Sequence, residues 1–158
     1  MDIYLVQHAK AKSSEQDPIR PLSKEGVANI ERVSAYAEKL GFAVDRIYHS
    51  GKLRAKQTAE ILARHLGVAD KVETKKGLDP SDSVAPIRDW LDRLSSEGTR
   101  NILIVGHLPF LDKLTSLLVA GMEDVHVVAF QNAGIVKLVP KSAGNGYSIQ
   151  WIITPDIQ

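Results

Sequence analysis

The sequence predicts an α/β fold with a mixed, mostly parallel sheet and antiparallel strands at its C-terminal end. Three observations carry that prediction. Short β-rich runs alternate with amphipathic helical stretches along the first three quarters of the chain, the sequence form of repeated βαβ units. Two of those runs, residues 3–6 and 102–105, are apolar without a break, as strands covered on both faces are. Residues 125–153 then read VHVVAF, GIVKLV and YSIQWII, separated by Asn132-Ala-Gly and Ser142-Ala-Gly-Asn-Gly. Those separators suit turns and leave no room for crossover helices, so part of the sheet is expected to be antiparallel.

The elements follow in order. After the strand at 3–6, Ser23 is a suitable N-cap, and Ile30, Val33, Ala37 and Leu40 recur at helical spacing until Gly41 stops the helix. A strand at 46–49 precedes a second helix whose apolar side is Leu53, Ala59, Ile61, Leu62 and Leu66, ending at Gly67. A third helix is expected from near Asp82, carrying Val84, Ile87, Trp90, Leu91 and Leu94, and stopping before Gly98. The strand at 102–105 leads through Gly106-His-Leu-Pro into a fourth helix with Leu111, Leu114, Leu117 and Leu118. VHVVAF is expected to be the next strand, with His126 in it. His65 is expected on a solvated helix face, and Trp90 and Trp151 in the core.

Composition excludes more than it proposes. At 158 residues the chain has the size of one domain, spanning 1–158, and is expected to be a monomer. Lys plus Arg (20) nearly balance Asp plus Glu (19), so no net field argues for nucleic acid or an anionic membrane. No cysteine is present, which removes disulfides, thiolate nucleophiles and thiolate zinc sites together. The first residues lack a basic flank and a long apolar stretch, and no segment approaches the roughly 20 apolar residues of a membrane span. The expected location is the cytoplasm.

His8 and His107 each sit just past an apolar strand, and Arg54 opens the helix that follows the 46–49 strand. Sheets of this class build ligand sites where parallel strands end, so the three side chains form a candidate anion site that holds a nucleophile. A neutral imidazole attacks phosphorus competently, so His8 can carry a phosphoryl group covalently and divide one displacement into two. Arg54 supplies a planar fork to the equatorial oxygens, and His107 adds charge when protonated. No HExxH or aspartate cluster suggests a metal, and the scheme needs no cofactor.

His8 after a first strand, Leu53-Arg54-Ala-x-Gln57-Thr58 after a second, and Val105-Gly-His107-x-Pro109 after a later one resemble the histidine phosphatase superfamily. The match runs in order over most of the chain. The short length, the Arg20-Pro-Leu-Ser-x-x-Gly26 segment and the Gly106-His-Leu-Pro ending look most like the SixA-type phosphohistidine phosphatases. The resemblance implies a three-layer, phosphoglycerate-mutase-like sandwich. It also implies a metal-independent phosphatase acting on phosphohistidine of a phosphotransfer protein, with a phosphorylated protein or small phosphorylated molecule as partner. A weakened homologue that binds phosphate or phosphoproteins is the alternative.

The family normally has an arginine before the nucleophilic histidine, and here that residue is Gln7. Gln7 donates one neutral hydrogen bond in its place, and Lys10 or Lys12 are candidates to restore the charge, although a lysine replaces a bidentate fork poorly. Arg20 has two readings, a phosphate-pocket rim or a surface ion pair. Members acting on phosphate esters generally place a carboxylate after the region of Gly77-Leu-Asp79-Pro, which makes Asp79 the candidate acid, with Asp82 nearby. SixA-type members have no obvious acid, which suits a phosphoramidate because a protonated imidazole leaves easily.

Overall fold

In a computed structural model describing residues 1–156, the first strand, β1 (Asp2–Gln7), is followed by helix α1 (Lys24–Leu40), β2 (Arg46–His49) and α2 (Leu53–Leu66). A short 3-10 turn (Ala69–Lys71) leads to β3 (Val72–Thr74), α3 (Ala85–Ser96), β4 (Asn101–Gly106) and α4 (Phe110–Ala120). Strands β5 (Ile135–Pro140) and β6 (Tyr147–Ile153) close the fold. The sheet order is β3-β2-β4-β1-β5-β6. β3, β2, β4 and β1 pair in parallel, while β5 is antiparallel to β1 and β6 to β5.

Strand alternation produces two cores. Tyr4, Val6, Ile47, Leu103 and Val105 face α1 and α2, meeting Ile30, Val33, Ala59 and Leu62. Ile3, Leu5, Ile102 and Ile104 face α3 and α4, meeting Ile87, Leu91, Leu111 and Leu114. Successive side chains point to opposite faces, so strands 3–6 and 102–105 must be apolar throughout if helices cover both sides. The result is the three-layer sandwich of the phosphoglycerate mutase type. Trp151 and Trp90 pack at the flanks of the cores and are half-buried: Trp151 leans on Tyr4 and Phe42, and Trp90 meets Tyr48 edge-on.

The helix ends follow local rules. Ser23 caps α1 by accepting the Gly26 N–H, and Gly41, Gly67 and Gly121 end α1, α2 and α4 in the left-handed region. Gly26 is required for space, because a Cβ there would lie 2.0 Å from the Lys10 carbonyl oxygen.

Three elements depart from the expectation. Residues 125–130 form no strand: His126 has φ of 58°, its Nδ1 pairs with Asp112 Oδ2, and the Val125 N–H goes to Ser116 Oγ. The apolar side chains of that run, Val127, Val128 and Phe130, pack onto the α3/α4 core, so their hydrophobicity serves burial and not pairing. β3 had no apolar signal because it is a three-residue, mostly exposed edge strand. Helix α3 begins at Ala85 and not near Asp82, since Asp79 and Asp82 close a turn (Asp79 N–H to Asp82 Oδ2, 2.9 Å) and Pro86 suits a first helical turn. His65 is only partly exposed. It bridges α2 to Glu31 (2.7 Å) and Glu38 (3.1 Å) of α1, and the two carboxylates raise its pKa.

Candidate active site

Parallel pairing brings the two histidines together. β1 and β4 are in register with Gln7 opposite Gly106, and the His8 N–H extends the ladder to the Gly106 carbonyl (3.0 Å). The residues that leave the two strands are therefore neighbours, and the His8 and His107 rings lie 5.0 Å apart, centre to centre, close enough to touch one tetrahedral oxyanion.

The His8 ring is oriented by its own backbone. Its Nδ1 lies 2.7 Å from the Ala9 carbonyl oxygen, which can only accept, so the ring proton is on Nδ1 and the Nε2 lone pair is free. The Ala9 N–H donates to Thr58 Oγ1 (3.0 Å), and that hydroxyl donates to the Arg54 carbonyl (2.8 Å). One threonine thus locks the end of β1 to the first turn of α2, where Arg54 sits. Asn132 Nδ2 donates to the His8 carbonyl from the other side (2.9 Å).

His107 meets Ser50, at the end of β2, with Oγ to Nε2 at 2.6 Å, while its buried Nδ1 has no partner. His49 shapes this corner: its Nδ1 accepts the Gly51 N–H (3.1 Å). Arg54 Nε is likewise buried and without a partner.

The electrostatics follow from burial and from cations. Burial lowers the His8 pKa to about 4, against the opposing Ala9 hydrogen bond and with help from Arg54 and Arg20. Burial lowers that of His107 to about 3, helped by His8, Arg54, Lys52 and Arg20. Both rings are neutral near pH 7 while the pocket holds no anion. Burial also lowers the Arg54 pKa, with Arg20 adding to the effect and Asp79 opposing it.

Arg20 is thus the cation felt at all three positions. It sits at φ of 50° and its Nε donates to the Lys12 carbonyl (3.1 Å) across the loop. Lys10 pairs with Glu25 (2.7 Å), and Lys12 is exposed. Asp79 is exposed within reach of the Arg54 charge. Gln7 is half-buried and lines a neighbouring trench with Lys10, Asn29 and Asn132. Ser50, Thr58 and Asn132 complete the arrangement. Ser50 and Thr58 lie in or beside the Leu53–Thr58 motif, whereas Asn132 looked only like a turn residue. Among the described residues, no group of three or more His, Cys, Asp or Glu side chains is arranged to hold a metal ion, and no helix is long and apolar enough to cross a membrane.

The model of the histidine phosphatase superfamily, branch 1, matches residues 3–82, just over half the chain. The chain belongs to the histidine phosphatase superfamily. Within it, the chain is similar along nearly its whole length to the phosphohistidine phosphatase SixA of Escherichia coli, with 25% identity over 156 residues, 98% of this chain and 94% of SixA. Its fold matches the structure of the histidine phosphatase SixA complexed with tungstate at a TM-score of 0.86, 24% identity and coverage of 98% and 97%. A phosphoglycerate mutase from Bacillus anthracis shares the superfamily fold at a TM-score of 0.74 and 15% identity, with coverage of 95% and 91%.

Proposed function

We propose that this superfamily member is a phosphatase that passes the phosphoryl group through His8, with phosphohistidine of a protein as its preferred substrate. The observation that carries the reading is the free Nε2 lone pair of His8, fixed 5.0 Å ring to ring from His107 and beside Arg54 and Arg20. His8 Nε2 attacks phosphorus as the bond from phosphorus to the leaving imidazole nitrogen breaks. That imidazole departs with its own proton, so the exposed Asp79 has no proton to supply. Water then attacks phospho-His8, phosphate forms, and His8 is returned.

Arg54 and Arg20 neutralise the equatorial oxygens, acting where charge is held in the transition state. His107 enters neutral and is protonated when the phosphoryl dianion lies beside it, because a nearby anion favours the charged ring. Ser50 holds the His107 ring in place. The similarity to SixA supports phosphohistidine over a phosphate ester, and among the described residues no Asp or Glu is buried.

The test is hydrolysis of a phosphohistidine peptide and of a generic phosphate ester, with His8→Ala as the blank. Acid-labile, base-stable phosphate on His8 and preference for the phosphoramidate are expected. Full activity in His8→Ala rules the mechanism out, and binding of phosphate without turnover leaves only the binding-module reading.

A further inference from the structure

Helix α2 meets the phosphate site with Arg54, Gln57 and Thr58, which stand three and four residues apart and therefore share one helix face. Arg54 carries a guanidinium, and Thr58 fixes the end of β1 through the Ala9 N–H (3.0 Å). Gln57 takes no part in the proposed chemistry. Its Oε1 accepts the Leu22 N–H at 2.8 Å, from a residue 35 positions away in the chain.

Leu22 closes the loop that carries Arg20. The loop folds back on itself at its stem, where Ala11 bridges Leu22 and the Lys12 N–H donates to the Pro21 carbonyl (2.8 Å). Leu22 is buried, whereas residues 12–16 are exposed, so the loop is fixed from its stem and not from its tip. Only Pro21, whose ring sets its own φ, stands between Leu22 and Arg20. Among the described residues, the Gln57 contact is the one hydrogen bond between α2 and residues 11–22. The backbone pairs hold the two sides of the stem to each other, and Gln57 ties them to the helix that bears Arg54.

Resting on the phosphatase reading above, we propose that Gln57 is a positioning residue: its carboxamide oxygen sets Arg20 beside Arg54, so that one face of α2 aligns both arginines with the nucleophile. With Gln7 preceding His8, Arg20 is the second fork available to the phosphoryl oxygens, and its placement then bears on rate. Without the Gln57 oxygen the charge of Arg20 remains but its aim is lost.

Gln57→Met keeps the side-chain length and the helix preference and removes the acceptor; Gln57→Ala stands in if the methionine variant does not fold. The assay is kcat/KM on a phosphohistidine peptide for wild type, Gln57→Met, Arg20→Ala and the double variant, with the unfolding midpoint of each. Gln57→Met should lower kcat/KM by about threefold to tenfold, divided between kcat and KM as Arg20→Ala divides it. Once Arg20 is gone, the same substitution should change kcat/KM by no more than about twofold. An undiminished loss in the Arg20→Ala background, or no loss in the wild-type background, overturns the proposal.

Calorimetric affinity for tungstate, read on the same four proteins, needs no turnover. Where wild type hydrolyses nothing, that cycle decides alone: the same coupling sustains Gln57 and counts only against the phosphatase reading, whereas additive affinities overturn Gln57. Trypsin cleavage after the exposed Lys12 separates positioning of the loop from a general loosening of the fold. Cleavage should quicken in Gln57→Met and stay at the wild-type rate in Gln57→Glu, whose carboxylate still accepts the Leu22 N–H. Equal rates in all three proteins overturn the tether.

Discussion

Arg20→Ala is the perturbation that separates a compensated phosphate pocket from a depleted one. The family pattern leaves a vacancy of charge at Gln7; burial is the main cause of the lowered pKa values of His8, Arg54 and His107, and Arg20 is the cation that adds to it at all three. A charge-assisted hydrogen bond contributes about 1.5–3 kcal/mol. Because Arg20 is only half-buried, the lower end applies, and at about 1.4 kcal/mol per decade the loss in kcat/KM is roughly tenfold. Gln7→Arg in the wild-type background should then gain less than about fivefold, since a second fork is already present. In the Arg20→Ala background it should restore most of the loss, giving a coupling of about 1 kcal/mol or more between positions 7 and 20. The assay is kcat/KM on a phosphohistidine peptide for the four members of the cycle, with thermal unfolding of each, because the Arg20 bond to the Lys12 carbonyl also pins the loop. A neutral Arg20→Ala combined with a gain of about 10² or more from Gln7→Arg refutes the reasoning: Arg20 would then be a loop residue and the pocket would lack its second cation.

Four further outcomes are expected. Phosphate or tungstate binding near pH 7 should take up protons, because His8 and His107 are neutral in the free pocket, with pKa values of about 4 and 3, and an anion raises them; calorimetry in buffers of different ionisation enthalpy measures the uptake, and zero uptake counts against a protonated His107. Since both folded values lie below the unfolded value of 6.5, the neutral rings contribute stability that is complete above about pH 6.5 and is lost as pH falls toward 4 and then 3, which unfolding midpoints across that range should show. Asp79→Asn should leave phosphohistidine hydrolysis within about threefold, because the leaving imidazole carries its own proton, and a loss of about 10² or more would make Asp79 the acid. Gly26→Ala, whose Cβ would meet the Lys10 carbonyl oxygen at 2.0 Å, should destabilise by about 2–3 kcal/mol in urea unfolding, and a neutral result would mean that α1 shifts freely.

What the sequence disclosed and what it hid divide along a physical line. Helices α1, α2 and α4 and the strands under the histidines were legible because their apolar period and glycine stops are local, and a side chain that follows a doubly buried strand has few places to go. His8, His107 and Arg54 could therefore be brought to one crevice before any contact was known. Arg20 could not be assigned, since its approach depends on a left-handed backbone angle and a bond to a carbonyl eight residues away. His65 looked solvated because its two carboxylate partners belong to another helix, and residues 125–130 looked like a strand because apolar residues that pack onto α3 and α4 read the same as apolar residues that pair. Asn132 shows the same limit at the site itself. A turn asparagine has no periodicity to betray it, yet its amide fixes the carbonyl of His8, and only the antiparallel return of β5 alongside β1 brings it there. The antiparallel end of the sheet therefore does more than close the fold: it carries one of the groups that hold His8 in place.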